Sequence, residues 1–182
     1  MASQVYLQDG VVAIRPFHKS DLKPAYAAVR ESQAEVYDWL PDLRDLTESE
    51  VLEYIAAQPQ AWANHEAYNF IVLEHETGEM LGGCGLTQIN SRHRFANLYY
   101  WVRTGRTGEG IATRAVRLAA RFGLEFLKLH RVEIVVALEN RPSLRVAEKS
   151  GAQREGLLRQ RIVIDDRSYD AVMFSFVSGD FG

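Results

Sequence analysis

Residues 101–122, "WVRTGRTGEGIATRAVRLAARF", place Gly105, Gly108 and Gly110 between a strand-like segment and a strongly helical run. Ordering glycine costs more conformational entropy than ordering other residues, so a loop built this way is expected to serve a purpose that side chains would obstruct. A helix N-terminus presents unsatisfied N–H donors and a partial positive charge, and glycines allow a phosphate to approach them directly. The stretch therefore predicts either a phosphate-binding loop or a tight turn without a ligand.

The composition is that of an ordinary globular protein, with 182 residues of which 47% are hydrophobic and 25% charged. This length predicts a single domain over residues 1–182. The net charge of −3 gives no global attraction to nucleic acid or an anionic membrane, so a phosphate-bearing partner needs a local site. The N-terminus lacks the basic start and apolar stretch of a signal peptide, and no apolar run is long enough to span a membrane. We therefore expect a cytoplasmic protein.

Cys84 is the only cysteine, which excludes an internal disulfide. Its apolar context, "LGGCGL", predicts a small buried hydrophobic residue. The spacings typical of cysteine metal sites are missing, so no metal is expected.

Hydrophobic periodicity and turn signals predict a mixed α/β fold, with one sheet and helices on its faces. The predicted elements are a strand at 11–17, helices at 20–32 and 47–63, strands at 68–75, 79–89 and 95–103, a helix at 109–126, a strand at 130–138, a short helix at 140–151 and two final strands. Ser20 or Asp21 is expected to cap the first helix, and Thr47 with Glu50 forms a capping-box pattern in the second. The acidic pair at 165–166 is interpreted as a hairpin turn between the last two strands.

Two familiar nucleotide-binding motifs do not match the glycine loop. A P-loop requires Lys and then Ser or Thr after its last glycine, whereas Ile111 and Ala112 follow Gly110. The dinucleotide fingerprint G-x-G-x-x-G belongs to the first strand of a parallel βαβ unit. Here the spacing is G-x-x-G-x-G and the loop follows strands that are predicted to be antiparallel.

Three separated blocks resemble the GNAT superfamily of acetyl-CoA-dependent N-acetyltransferases, and in particular the ribosomal-protein alanine and serine N-acetyltransferases. The blocks are "TGEGIAT" (107–113), "ENRPSLRVAEKSGAQREGLLR" (139–159) and "YDWLPDL" (37–43). The resemblance implies a GNAT-type central sheet that is mostly antiparallel and highly twisted, with about seven strands and about four flanking helices. The chain departs from the family pattern at Thr107, where Gln or Arg is usual, and at Asn97, where many relatives carry Glu.

The same resemblance implies acetyl-CoA as co-substrate and assigns residues to it. The amides around Gly108, Gly110, Ala112 and Thr113 would hold its pyrophosphate, and the backbone near 101–103 would contact the carbonyl and the pantetheine arm. The full implied set is Trp101, Val102, Arg103, Thr107, Gly108, Gly110, Ile111, Ala112, Thr113, Asn140 and Ser143. Core packing explains the Trp101 side chain equally well, and helix capping is the alternative for Asn140.

Ser143, Asn140 and Glu133 are the catalytic candidates. By resemblance, Ser143 protonates the leaving thiolate and Asn140 contacts the pantetheine arm or its water. Glu133 alternates with its apolar neighbours and so points to the other face of the sheet, where it is either a base facing the cleft or a salt-bridged structural residue. Some relatives use a carboxylate where this chain has Ile162, so the general base is not identifiable. An N-terminal α-amine has a pKa of about 7.7–8.0 and needs less help than lysine, which favours an α-amino substrate.

The sequence thus predicts an N-acetyltransferase that acts on the α-amine of a protein or peptide, working as a monomer or homodimer. Alternatives are an acetyltransferase for a small-molecule amine (a polyamine, an amino-acid derivative or an aminoglycoside) and a catalytically silent acyl-CoA-binding module. A nucleotide-binding protein is a further alternative, which predicts affinity for ATP or NAD and no preference for CoA.

Overall fold

The computed structural model describes residues 5–32 and 38–181. Within these ranges the strands are β1 (Leu7–Gln8), β2 (Val12–Pro16), β3 (Tyr68–Glu74), β4 (Met80–Asn90), β5 (Phe95–Val102), β6 (Arg131–Ala137), β7 (Gln153–Ile164) and β8 (Arg167–Val177). The α-helices there are α1 (Leu22–Glu31), α2 (Glu48–Ala63), α3 (Ile111–Arg121) and α4 (Arg141–Lys149). Tyr37, the first residue of the block 37–43, lies outside the described residues.

The strands form one sheet in the order β1-β2-β3-β4-β5-β6-β8-β7. All neighbouring strands are antiparallel except β5 and β6, which run parallel. The predicted mixed α/β, mostly antiparallel GNAT-type fold is confirmed. The structure has eight strands rather than about seven because β1 contains only two residues, too few to leave an alternating pattern in the sequence.

Apolar side chains cover both faces of the sheet, as alternation along its strands requires. Val12 and Ile14 of β2 belong to a buried cluster that includes the inner side of α3, whereas Ala13 belongs to a second cluster with residues of α1 and α2. Cys84 is fully buried in the first cluster, and its burial raises the pKa of the thiol. In the part of the chain that the structure describes, none of the helices is long and apolar enough to cross a bilayer.

The predicted helix caps have different outcomes. In α2 the capping box is confirmed, because Thr47 Oγ1 accepts a hydrogen bond from the Glu50 amide at 3.3 Å and the Glu50 carboxylate accepts one from the Thr47 amide at 2.8 Å. For α1, Asp21 is the N-cap residue as predicted, but its side chain makes no capping hydrogen bond to the helix, because a 3-10 turn over Lys19–Asp21 precedes it. The Asp21 carboxylate instead accepts hydrogen bonds from the His18 amide and the Arg15 guanidinium, each at 2.7 Å.

The helix predicted at 109–126 is shorter than expected as an α-helix. It begins at Ile111, and after Arg121 the chain continues as a π-helical turn over Phe122–Phe126. In this turn Gly123 lies so close to β6 that an added Cβ would be 2.8 Å from Val132 Cγ2. The π-helical turn, which is wider than an α-helical turn, therefore lies where Gly123 packs tightly against β6.

Tight packing between β4 and β5 depends on the small residues of β4. A Cβ added at Gly85 would lie 2.3 Å from Asn69 Oδ1 and 2.8 Å from Tyr99 Cε1. These two side chains are hydrogen-bonded, with the Tyr99 hydroxyl donating to Asn69 Oδ1 at 3.0 Å. The absence of a side chain at Gly85 thus leaves room for a buried polar contact.

We predict that Gly85→Ala lowers the free energy of unfolding by about 1–3 kcal/mol, because the added methyl group displaces the Asn69–Tyr99 pair. Gly156→Ala is the matched control, since a Cβ at this β7 position meets nothing within 4 Å. Urea unfolding of both variants measures the difference. Equal effects of the two substitutions would contradict the account of β4 packing.

Candidate active site

The two parallel strands separate in the middle of the sheet. β5 and β6 pair at Phe95–Arg131, Ala96–Val132 and Asn97–Glu133, and no later pair is formed between them. Residues 98–102 of β5 and 134–137 of β6 instead line the two sides of a cavity of about 830 Å³. The side of β5 that faces this cavity therefore presents backbone N–H and C=O groups without a strand partner, which a bound molecule can satisfy.

The glycine loop lies at this cavity and opens α3. Gly108 and Gly110 both line it and have left-handed backbone, with φ of +82° and +79°. A Cβ at either position would meet nothing within 4 Å, so both glycines border open space. Gly110 is the N-cap of α3 and supplies no side chain to the first turn, whose residues Ile111, Ala112 and Thr113 also line the cavity. The geometry fits an anion held by backbone amides at a helix N-terminus.

Salt bridges anchor the loop from outside the cavity. The Arg106 guanidinium contacts Glu74 at 2.8 Å, Glu79 at 2.5 Å and Glu109 at 3.1 Å. Arg103 pairs with Glu31 and Glu79, and its amide donates to Leu81 O at 2.9 Å. Neither arginine side chain is therefore free to contact a ligand in the cavity.

The predicted cofactor residues fall into two groups. Arg103 does not line the cavity, because its side chain and its amide have the partners described above. Thr107 does line it and donates from Oγ1 to Thr104 O at 3.1 Å. The predicted residues that the structure brings together around the cavity are Trp101, Val102, Thr107, Gly108, Gly110, Ile111, Ala112, Thr113, Asn140 and Ser143.

Ser143 and Asn140 meet at the start of α4, on the β6 side of the cavity. Asn140 Oδ1 accepts a hydrogen bond from the Ser143 amide at 3.1 Å, so Asn140 caps the helix. Ser143 Oγ lies 2.7 Å from the hydroxyl oxygen of Tyr100, and either of these two groups can be the donor. When it does not donate to Ser143 Oγ, the Tyr100 hydroxyl donates to Ser143 O at 3.0 Å. Burial raises the pKa of Tyr100 to about 12, partly offset by the bond to Ser143, so the phenol stays protonated at neutral pH.

Tyr100 is a site residue that the sequence reasoning missed. It occupies an alternate position of β5, between Leu98 and Val102, and all three line the cavity. The alternation in "ANLYYWV" indicates that these residues share a face, but the partner is 43 positions away at Ser143. The contact depends on how α4 packs beside β5, which periodicity does not reveal.

Glu133 does not line the cavity. Its carboxylate accepts a hydrogen bond from Arg131 Nε at 2.7 Å. The same arginine also pairs with Glu155, and this bond, with one from Ser175, lowers the pKa of Glu155 to about 2. The structure thus places Glu133 in a salt-bridge network, the structural alternative, and brings no base from β6 to the cavity.

Aromatic and aliphatic residues form the remaining wall. Trp39, Tyr99 and Trp101 line it together with residues 161–164 of β7. The charged lining residues among those the structure describes are Arg145, Lys149 and Arg161, and the lining contains no carboxylate and no histidine. The described ranges also hold no group of three potential metal ligands. The charged groups that line the cavity are therefore all cationic, which suits a ligand with anionic groups.

Comparison with known proteins is consistent with this geometry. The model of the acetyltransferase (GNAT) domain family matches residues 12–153. An uncharacterized N-acetyltransferase of Bacillus licheniformis, p20, is 32% identical over 116 residues, which are 64% of this chain and 65% of that relative. This chain therefore spans less than two thirds of that relative's length.

Two further similarities extend over most of the chain. The spermidine N(1)-acetyltransferase of Escherichia coli K12 is 26% identical over 167 residues, covering 88% of this chain and 83% of that enzyme. The structure of a proposed ribosomal-protein-serine acetyltransferase from Vibrio cholerae is 26% identical, with a TM-score of 0.82. That match covers 97% of this chain and 99% of the other.

Proposed function

The chain belongs to the acetyltransferase (GNAT) family, and on that premise we propose that it transfers the acetyl group of acetyl-CoA to the α-amine of a protein or peptide. The observation that supports this most strongly is the opening between β5 and β6, with the glycine-capped end of α3 beside it. We further propose that residues 1–182 act as one cytoplasmic domain.

Residues around the cavity can be assigned to two parts of acetyl-CoA, the co-substrate used by this family. The backbone amides from Gly108 to Thr113 would hold the pyrophosphate, where a side chain on either glycine would intrude. The free edge of β5 at 98–102 would pair with the amide groups of the pantetheine arm. When bound, acetyl-CoA supplies an acetyl group already activated as a thioester.

Ser143 and Tyr100 are the residues that we propose supply the proton to the leaving group. As the amine nitrogen bonds to the acetyl carbon and the C–S bond breaks, the sulfur needs a proton and the nitrogen must lose one. Ser143 Oγ gives its proton to the sulfur and recovers one from the Tyr100 hydroxyl, 2.7 Å away. Tyr100 regains its proton from water, which takes up the proton from the nitrogen. The products are the N-acetyl amide and the free thiol of CoA.

The lining of the cavity favours an α-amine as acceptor. No described lining residue is a carboxylate or a histidine, so the protein offers no side-chain base there that titrates near neutral pH. An α-amine with a pKa of about 7.7–8.0 is partly neutral at pH 7, whereas a lysine-like amine at about 10.4 is almost entirely protonated. The similarity to the Vibrio cholerae protein supports the same substrate class.

A polyamine is the second candidate acceptor. A smaller cavity of about 220 Å³ adjoins the first and shares Trp39 and Ile164 with it. Asp38, Glu139 and Asp165 line it, against a single lysine or arginine, Arg44. This acidic surplus could attract a polycation, and the similarity to spermidine acetyltransferase supports this candidate.

We predict that Gly110→Asp weakens acetyl-CoA binding at least tenfold, because it adds a carboxylate beside the phosphate position and strains a backbone at φ +79°. Gly78→Asp is the matched control, since Gly78 has a similar φ of +73° and equally open surroundings but does not line the cavity. Calorimetric titration measures both variants against the wild type, with ATP and NAD as comparison ligands. Failure of the wild type to bind acetyl-CoA would contradict the proposed function.

The pH dependence of turnover distinguishes the two acceptors. For a serine-starting peptide we predict that kcat/KM rises with pH and levels off at about pH 8, at the pKa of the free α-amine. For spermidine we predict a rise that continues to about pH 10, and a lower kcat/KM than for the peptide at pH 7. Steady-state assays from pH 6 to 10 supply both curves. Faster turnover of spermidine at pH 7 would favour the polyamine acceptor over the peptide.

A further inference from the structure

Arg161 lies apart from the other cations that line the large cavity. Arg145 and Lys149 are one turn from each other on α4, which packs against α3, whereas Arg161 lies on β7. In the sheet β7 forms the edge beside β8, while α3 packs against β2, β4 and β5. Arg161 therefore belongs to the other half of the sheet from the helix whose N-terminus would hold the pyrophosphate.

A bulge in β7 determines where Arg161 lies. The register between β7 and β8 shifts over residues 159–161, which lie opposite Asp170 alone. The Asp170 carboxylate accepts a hydrogen bond from the Gln160 amide at 2.8 Å, and Gln160 has a left-handed backbone with a φ of +49°. Bulges redirect side chains and are frequent beside active sites. Of the two arginines in this bulge, Arg159 and Arg161, only Arg161 lines the cavity.

The Arg161 guanidinium has no partner in the part of the chain that the structure describes. It forms no hydrogen bond, ion pair or ring contact there. The described lining of the cavity also contains no carboxylate that could approach it. A guanidinium binds a carboxylate through two parallel hydrogen bonds, so this arginine favours a ligand that brings its own carboxylate.

The part of the cavity wall that contains Arg161 is available to the acceptor. Under the proposed function, acetyl-CoA occupies the glycine loop, the free edge of β5 and the start of α4. The rest of the lining includes residues 161–164 of β7, together with Trp39, Leu40 and Pro41. An acceptor that brings its amine to the thioester therefore passes beside β7, where Arg161 is the charged residue of the described lining.

We propose that Arg161 selects acceptor peptides that carry an aspartate or a glutamate within their first three residues, by pairing with that carboxylate. This proposal rests on the proposed function and names a substrate class for it. The same positive charge repels a polyamine, so Arg161 favours the peptide both by attraction and by repulsion of its competitor.

The smaller cavity limits where the acidic residue can lie in the peptide. It shares Ile164 with the large cavity, and its own lining contains Asp38, Glu139 and Asp165. A carboxylate that extends past Ile164 meets like charges there, whereas one beside Arg161 meets an opposite charge. The preference is therefore expected near the amine and not further along the peptide.

Serine-starting peptides that differ at a single position test this selection. Aspartate, asparagine or lysine is placed at position 2, 3 or 6 of an otherwise uncharged sequence. Rates are measured at pH 9, where the α-amines are neutral in all of the peptides. For the wild type we predict that aspartate at position 2 or 3 raises kcat/KM about fivefold or more over asparagine, and that lysine lowers it. Added salt is expected to reduce both effects, and position 6 is expected to show neither.

Substitutions at Arg161 and at its neighbour in the bulge assign the effect to one side chain. Arg161→Gln is expected to abolish the preference for aspartate, and Arg161→Glu to reverse it in favour of lysine. Both variants are expected to keep the Kd for acetyl-CoA and the Tm of the wild type, because this exposed side chain has no partner to lose. Arg159→Gln and Arg159→Glu are the matched controls, since Arg159 is also exposed but does not line the cavity, and they should keep the wild-type preference.

Turnover of the asparagine peptides by the wild type tests the proposed function separately. If the wild type uses aspartate and asparagine peptides equally, or if the preference survives Arg161→Gln, the role of Arg161 is overturned and the proposed function stands. A weaker Kd for acetyl-CoA in Arg161→Gln, with the peptide preference unchanged, would assign this arginine to the co-substrate instead. An equal loss of preference in Arg159→Gln would attribute the selection to the general charge of β7, which also overturns the proposal.

A binding measurement makes the test independent of turnover. The CoA-saturated protein is titrated calorimetrically with the N-acetylated forms of the aspartate and asparagine peptides. The aspartate form is expected to bind about fivefold more tightly to the wild type and equally tightly to Arg161→Gln. Equal affinities for the wild type would overturn the proposal, whether or not the peptides are acetylated in the kinetic assays.

Discussion

The site depends on the short parallel pairing between β5 and β6. Each strand has a firm antiparallel partner on its other side, because β4 pairs with β5 as far as Val102 and β8 pairs with β6 from Arg131 to Ala137. The two halves of the sheet are thus held independently, and they meet in only three register pairs. A sheet that opens in this way leaves polar backbone groups without partners, and a ligand with alternating donors and acceptors can satisfy them. The cavity and the free edge of β5 both follow from this separation.

Charged groups outside the cavity fix the glycine loop. Arg103 and Arg106 approach Glu79 from two sides, and each has a further glutamate partner on another element. Each of these ion pairs at the surface contributes little free energy alone, but together they tie the loop to α1, to the end of β3 and to the turn between β3 and β4. Contacts outside the cavity therefore offset the entropy lost when the glycines are ordered, and the amides of residues 108–113 remain available to an anion.

Much of the fold can be predicted from local sequence signals. The Thr47–Glu50 capping box, the hairpin at Asp165 and Asp166, and the glycine-led start of α3 each depend on a few neighbouring residues, and each has the predicted form in the structure. Asp21 occupies the predicted cap position of α1, but its side chain does not cap the helix, since it accepts hydrogen bonds from Arg15 and His18 instead. Such competition between nearby partners depends on exact backbone geometry, which a pattern does not specify.

The parts of the site that sequence could not predict depend on contacts between distant residues. Arg103 was expected to contact the cofactor, but its guanidinium donates a hydrogen bond to Glu31, which is 72 positions away in the sequence. Tyr100 contacts Ser143, which is 43 positions away in the sequence. Glu133 forms a salt bridge with Arg131, which also pairs with Glu155, and therefore does not face the cavity. In each case the residue type is compatible with several roles, and the contacts made in the folded protein determine which role the residue has.

Amide hydrogen exchange with and without acetyl-CoA tests the central claim most directly. If the separated strands and the glycine loop bind the co-substrate, the amides of residues 108–113 and those on the free edge of β5 at 98–102 should become protected, while amides in β2 and β3, which do not line the cavity, should change little. Saturating acetyl-CoA without protection at these two segments, or with protection elsewhere, would contradict the assignment of the opening between β5 and β6 as the acetyl-CoA site.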